Sequence, residues 1–438
     1  MDILHFDRSK QYGHFKVLNA VNNGPHHRRH AKDQYRSNLE AYKAARIPYA
    51  RNHDASFYWA YGREHTVDIS AIFPNFDADA YDPASYDFTC TDEYTEVTAL
   101  AGTETFFRLG QTIEHYIKKF HIYPPADFKK WAVICEHIIR HYNEGWANGY
   151  HLDIQYWEIW NEPDLDEDSD YRRTWAGTRA EFFDLYEVAA KHLKSCFPNL
   201  KIGGPALAGN LEWAEEFLKE MQRRNVPLDF FSWHRYCTDV KKITDKAAAI
   251  DALLERYGYQ NAESILNEWN YWYRSESEDA FVHTIDMIKG IKGAAFIMAV
   301  MSAAQPSSID MLMYYDARPT EFNGLFQTDT LRPLKGYYPF LWYGNFYDLV
   351  AEIRCESSVE DIYTLCGVDG DGKVTAVLTY YTEADSTSSE KTVSLDFGRD
   401  GTYEIYLLDR DHDGEPIETV RDLTFTLKPL TCILIKEK

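Results

Sequence analysis

Tyr156-Trp157-Glu158-Ile159-Trp160-Asn161-Glu162-Pro163-Asp164 is a short, largely apolar run that ends on polar residues and a proline. Pro163 cannot extend a ladder, so it ends the strand and constrains the turn behind Glu162. An acidic loop follows (Asp164, Asp166, Glu167, Asp168, Asp170), and then a helix-period segment, Arg179–Cys196. This unit of apolar run, loop and helix recurs from the start of the chain to about residue 340. Its strands are read at Phe15–Val21, Ile47–Arg51, Glu104–Leu109, Leu152–Trp160, Lys201–Pro205, Leu228–Trp233, Ser264–Asn267 and Ile309–Tyr315. The helices between them are read at Asp33–Ala45, Phe128–Tyr142, Arg179–Cys196, Leu211–Arg224, Asp245–Tyr257 and Asp279–Ala304. Phe57–Thr103 is a long insert after the second strand, holding the second helix or extra loops. Eight alternating units point to an α/β fold, a closed (β/α)8 TIM barrel rather than an open doubly wound sheet. The open sheet would want a Gly-rich phosphate turn after its first strand, and Asn22-Asn23-Gly24-Pro25 is not one.

Near residue 350 the pattern changes to period two. Ile362–Cys366, Val374–Tyr381, Thr392–Phe397, Tyr403–Leu408, Leu423–Leu427 and Thr431–Lys436 alternate, separated by Asp-Gly turn chemistry. The expected organisation is a barrel over 15–345 and a C-terminal antiparallel β-sandwich over 346–438. Residues 1–14 are expected to complete that sandwich, since chain ends often lie close together. Asp409-x-Asp411-x-Asp413-Gly414 imitates the start of a calcium loop, but Val420 stands where a glutamate is required, so it reads as a hairpin turn.

The 438 residues carry 69 acidic and 46 basic side chains, a net charge of −23. That balance repels nucleic-acid phosphates and anionic lipid, which argues against both as partners. Aromatic residues make up 15%, including 32 Tyr and 11 Trp, whose polar edges need partners or water. Sugar-binding clefts use such faces. The seven cysteines are scattered with no zinc spacing, so reduced thiols and no metal site are expected. No basic start precedes an apolar stretch at the N-terminus and no run reaches eighteen apolar residues, which gives a cytoplasmic reading. A homo-oligomer is left open.

Two carboxylates stand out by position. Glu162 closes the fourth strand, and Glu268 closes the seventh in Ser264-Ile265-Leu266-Asn267-Glu268-Trp269-Asn270. In a (β/α)8 barrel the strand C-terminal ends form the reactive rim, so two glutamates on near-opposite strands converge across its mouth. Glycoside hydrolysis needs such a pair, one to protonate the leaving oxygen and one to attack or to activate water. Each glutamate follows an Asn and lies among Trp and Tyr, where desolvation raises a carboxyl pKa.

The Asn161-Glu162-Pro163 triplet with a second glutamate ending strand seven resembles clan A of the retaining glycoside hydrolases. Gly203-Gly204-Pro205-Ala206, Ser232-Trp233-His234-Arg235-Tyr236 and Leu407-Leu408-Asp409-Arg410-Asp411-His412 are similar to family 39, the β-xylosidase and α-L-iduronidase group. The resemblance implies Glu162 as acid/base, Glu268 as nucleophile, and Asn161 as partner of the sugar 2-hydroxyl. It implies that Tyr236 or His234 orients the nucleophile, with Trp233 beside them at the sugar. An oligosaccharide or glycoside substrate, no cofactor and exo-action on short substrates follow. A uronidase-like or α-L-arabinoside-directed enzyme is the alternative, and a non-catalytic carbohydrate-binding barrel the reading from another class.

Other rim residues are candidates by position. Arg51-Asn52-His53-Asp54 closes strand two, where Arg51 braces the nucleophile and His53 meets a hydroxyl, unless the group is a polar cap. Tyr314-Tyr315-Asp316 ends strand eight, and Tyr315 is expected to floor the sugar site. His26-His27-Arg28-Arg29-His30 reads as a solvated loop or a contact to an anionic sugar. The acidic loop reads as solvated charge, and the insert with Asp77-Ala78-Asp79-Ala80-Tyr81-Asp82-Pro83 as a roof over the cleft.

Overall fold

The computed structural model describes residues 2–27, 36–53, 66–275, 277, 279–320 and 322–438. A first strand, β1 (Asp2–Gln11), precedes the barrel. The barrel closes from eight parallel strands in chain order, with the last pairing the first. They are β2 (Val17–Asn22), β3 (Tyr49–Arg51), β4 (Glu104–Leu109), β5 (Tyr156–Ile159), β6 (Lys201–Leu207), β7 (Phe230–Cys237), β8 (Glu263–Tyr271) and β9 (Met311–Tyr314). Ala20, Phe106, Tyr156, Phe230, Ile265, Met311 and Met313 plug the interior. A larger apolar layer lies outside the strands, beneath the helices. Rim side chains therefore stand on a packed floor rather than over a pore.

The helices are α1 (Leu39–Ala44), α2 (Ile69–Ile72), α3 (Thr89–Leu100), α4 (Phe128–Glu144), α5 (Arg179–Cys196), α6 (Leu211–Arg223), α7 (Lys241–Arg256), α8 (Asp279–Lys289), α9 (Ile291–Ala304) and α10 (Tyr337–Tyr343). Local chemistry sets their starts. Thr178 and Glu181 form a capping box on α5, and Asp127 and Asn210 cap α4 and α6. The single helix expected over Asp279–Ala304 is instead two, bent by 70° at Gly290. A Cβ on Gly293 would meet the Ile288 carbonyl oxygen at 2.4 Å, so only glycine allows α8 to end so close against α9. Among the described residues no single helix is long and apolar enough to cross a membrane.

The remaining strands are β10 (Ala351–Cys355), β11 (Ile362–Val368), β12 (Val374–Tyr380), β13 (Lys391–Asp396), β14 (Tyr403–Leu408), β15 (Asp413–Val420), β16 (Thr424–Leu427) and β17 (Thr431–Glu437). With β1 they form one nine-stranded sheet, β15-β14-β17-β12-β11-β10-β1-β13-β16. Residues from both halves of that order, such as Val393 and Ile405, share one core, so the sheet curls over on itself. It is antiparallel except where β1 runs parallel to β13. Asp409–His412 is the turn joining β14 to β15. In the described part of the insert, Phe73 packs on Tyr86, Tyr86 and Phe88 pack against His137, Trp146 and His141, and Ile69 N–H donates to Gly110 O just past β4.

Candidate active site

The chain leaves β5 through two left-handed residues, Trp160 (φ 72°) and Glu162 (φ 47°). Each costs a non-glycine residue about 1–2 kcal/mol, so surrounding bonds must hold the turn. Trp160 N–H donates to Leu109 O at 2.7 Å, Glu162 N–H to Ala206 O at 2.9 Å, and Thr174 Oγ1 to Glu162 O at 2.6 Å. Asn161 and Glu162 thereby face the mouth together, with Glu162 only 6% exposed.

Arg51, fully buried, is the hub. Its Nε donates to Glu158 Oε2 at 2.7 Å, Nη1 to Glu268 Oε1 at 2.8 Å and to Asn22 Oδ1 at 3.1 Å, and Nη2 to Asn161 Oδ1 at 2.7 Å. Glu158 was missed by sequence reasoning. Its signal was a charged residue inside an otherwise apolar strand, which at such depth needs a partner. It also accepts from Ser232 Oγ at 2.6 Å and Asn267 Nδ2 at 2.5 Å, which locks three strands beneath the rim.

Glu268 accepts from Tyr236 Oη at 2.7 Å, and His53 Nε2 lies 3.5 Å from its other oxygen. His234 stands between the two glutamates, with Nδ1 2.7 Å from Glu162 Oε1 and 3.4 Å from Glu268 Oε2. One oxygen of each glutamate and the His234 nitrogen lie within 4.8 Å of one another. As a cation site this triad is compromised, because Arg51 already supplies Glu268 with its positive charge.

Burial, and next the charge of Asp164, push the Glu162 carboxyl up to about 8, against the opposing pull of Arg51 and Arg173. Burial also displaces Glu268 upward, while Arg51 and the Tyr236 hydroxyl work against it. His234 is pushed down to about 4 by burial, so its ring is neutral at pH 7. Burial and Glu268 raise the Tyr236 phenol well above its ordinary value, and it stays a donor. One carboxyl is thus held protonated near neutrality, and the other is ringed by donors.

Tyr315 lies over the same space, its ring 6.2 Å from Tyr236 and 6.1 Å from His53. Two further aromatics, missed from sequence, extend that wall: Phe322 lies 5.8 Å from Tyr315 and 5.4 Å from Trp272. Their signal was only their place just after strands seven and eight. Trp233 does not join the site. Along β7, Ser232 and His234 point inward, so Trp233 points outward, where its indole donates to Ser264 Oγ at 3.1 Å beneath Lys246.

The loop readings also change. Asp164 accepts from the N–H groups of Ala208, Gly209 and Asn210 at 2.8–3.1 Å. Asp166 pairs with Arg173 and Glu167 with Arg179, so of the acidic loop only Asp168 and Asp170 are left to solvent. His26 and His27 tie back to Asn38 and Ser37 at the start of α1. Arg28, Arg29, His30 and Asp54 lie outside the described residues.

Residues 16–287 match the sequence profile of Glycosyl hydrolases family 39. A β-xylosidase of Caldicellulosiruptor saccharolyticus is 31% identical over 185 residues, which are 40% of this chain and 35% of that protein. The match therefore spans about a third of that relative's length. The solved structure of a glucosidase from Croceicoccus marinus superposes over 100% of this chain and 99% of its own, with TM-score 0.79 and 21% identity. That of a monomeric β-xylosidase from Caulobacter crescentus CB15 covers the same shares with TM-score 0.71 and 14% identity. At these identities the superpositions speak for the fold, a (β/α)8 barrel with an appended β-domain.

Proposed function

The chain belongs to family 39 of the glycosyl hydrolases, and from that premise we propose that it is a retaining, exo-acting glycosidase of short β-glycosides. The observation that carries the reading is the approach of Glu162 and Glu268, whose nearest oxygens lie within 4.8 Å across His234. Retaining enzymes hold their carboxyl groups about 5–5.5 Å apart, and inverting ones roughly 6.5–9.5 Å to admit a water. The near-complete burial of both carboxyls, 6% and 3% exposed, suits a pocket for one terminal sugar better than an open groove. The β-xylosidase relative makes a β-xyloside the first substrate to try.

In this reading Glu268 attacks the anomeric carbon while Glu162 protonates the departing oxygen. Glu162 then removes a proton from the incoming water as that water releases the sugar from Glu268. Arg51 and Tyr236 donate to Glu268, which favours its ionised form and keeps it aimed. His234 Nε2 is buried without a partner, which suits a ring proton on Nδ1 donated to Glu162 Oε1. The acid proton then sits on Oε2. Asn161 Nδ2, also buried without a partner while its oxygen is tied to Arg51, is the free donor for the sugar 2-hydroxyl.

The test is a panel of nitrophenyl glycosides, with proton NMR of the first-formed sugar from whichever is cleaved. A retained anomer from an aryl β-xyloside or related β-glycoside is the expected result. With Glu162→Ala, azide should restore turnover of the aryl substrate and give the β-glycosyl azide by two displacements, whereas Glu268→Ala should lose turnover, and any azide product it forms should be the α-glycosyl azide of a single displacement. An inverted first product overturns the mechanism, and sugar binding without cleavage of any glycoside overturns the activity.

A further inference from the structure

On the outer face of the barrel, away from the mouth, His192 and Cys196 stand four residues apart on α5 and so share one face of the helix. Glu136 of the neighbouring α4 reaches the same point. Its Oε2 lies 2.7 Å from His192 Nε2, and Cys196 Sγ lies 3.9 Å from that nitrogen. One donor atom from each of the three lies within 4.8 Å of the others. We propose that Glu136, His192 and Cys196 form a binding site for a zinc-class transition-metal ion that clamps α4 to α5.

The donor set is the first argument. A thiolate, an imidazole and a carboxylate are each ligands of Zn(II), and three protein ligands leave the fourth tetrahedral position to a water. Metal–ligand bonds of about 2.0–2.3 Å in a tetrahedral array put neighbouring donors roughly 3.3–3.7 Å apart. The N–O pair would open slightly and the S–N pair would tighten, both by less than an ångström. The surrounding charge is the second argument. Glu136 Oε1 is taken by Arg140 Nε at 2.8 Å, which leaves Oε2 for an ion, and Arg140 is itself shared with Glu144. Two carboxylates, Glu136 and Glu144, thus share one guanidinium at this point. Access is the third. His192 is 30% exposed and Glu136 12%, enough for a solvated ion to arrive and keep a water.

The protons balance simply. Burial, and next the charge of Glu136, raise the Cys196 thiol, so without metal it carries its proton. Binding releases that proton to solvent, and the imidazole proton moves from Nε2 to Nδ1 by exchange with water. Nothing here touches the barrel mouth, so the site would act on stability.

Cobalt(II) titrated into the full chain is the probe, because thiolate ligation adds a sulfur-to-cobalt charge-transfer absorption. The expected result is such a band saturating at one equivalent, abolished in Cys196→Ser and at least tenfold weaker in affinity in Glu136→Gln. Zinc should raise the unfolding temperature of the wild type in a concentration-dependent way, and of Cys196→Ser not at all. An ion held instead by Glu162, His234 and Glu268 would give no thiolate band and would inhibit glycoside cleavage. That outcome, or a band that survives Cys196→Ser, overturns the proposal. Should Cys196→Ser fail to fold, Glu136→Gln, which keeps the contact to Arg140, decides by affinity alone.

Discussion

Glu162 holds a proton in the folded chain that it loses at an ordinary pH of 4.5 once unfolded, since burial raises it to about 8. Between those values the folded state binds the extra proton, so the contribution of Glu162 to stability is fully present below about 4.5, falls as pH rises, and levels off above about 8. Glu162→Gln removes that dependence and keeps an acceptor for His234. It should gain on the order of 3 kcal/mol at pH 7, measured by denaturant unfolding, with the gain vanishing near pH 4. The same proton sets the rate: kcat/KM on a glycoside with a poor leaving group should decline as pH rises through about 8. Arg51 is the opposite case, a buried cation serving two buried carboxylates. Arg51→Met leaves Glu158 and Glu268 without it and should cost about 3–5 kcal/mol in urea unfolding along with nearly all turnover.

At the scale of elements, the loop behind Glu162 is a piece of tuning machinery rather than solvated charge. Asp164 is clamped by three N–H groups at the entrance to α6, and that clamp holds its charge where it raises Glu162. Asp164→Asn removes the charge and should move the basic limb of the pH–rate profile downward by up to about one unit. A pH series on purified variant and wild type checks this. The rim was legible because polar residues ending apolar strands are conspicuous, and Glu162, Glu268, Arg51, Asn161, His53, His234, Tyr236 and Tyr315 do gather in one cluster. What lies beneath the rim was less so. Glu158 was missed because the Arg51 that partners it comes from another strand, and one strand read alone does not show that pairing. Trp233 was misplaced because a motif was read as a unit, whereas the pleat sends alternate residues to opposite sides. The break between α8 and α9 was hidden because α9 is apolar on all sides, so no change of period marks its start. β15 was missed because it is an exposed edge strand without an apolar face.

At the scale of the whole molecule, α9 explains its own composition, for it is covered by the barrel on one side and by β11, β12 and β17 on the other. Phe296 meets Tyr381 at 5.5 Å, Tyr381 Oη donates to Thr238 O at 2.6 Å, and Tyr271 Oη donates to Glu383 Oε1 at 3.0 Å. Lys292, almost fully buried, gives Nζ to Asp385 Oδ1 at 2.8 Å and Glu383 O at 2.9 Å. Thr238 is the residue just after β7 and Tyr271 ends β8, so the curled sheet braces strands that carry Tyr236 and Glu268. The sheet in turn needs the chain start, since β1 sits between β10 and β13 and its removal would leave two unpaired edges in the middle of the order. Barrel and sheet should therefore unfold together. Calorimetry of the full chain should show one transition with equal calorimetric and van't Hoff enthalpies. A chain ending at residue 345 bares the apolar face of α9 and leaves Lys292 without its carboxylate and carbonyl, and should be insoluble or molten rather than an active barrel. Tyr381→Ala probes the same joint without cutting the chain: about 3 kcal/mol should be lost, still in a single transition. Two resolved transitions, or a soluble 345-residue barrel with full activity, would show that the two parts are stable independently.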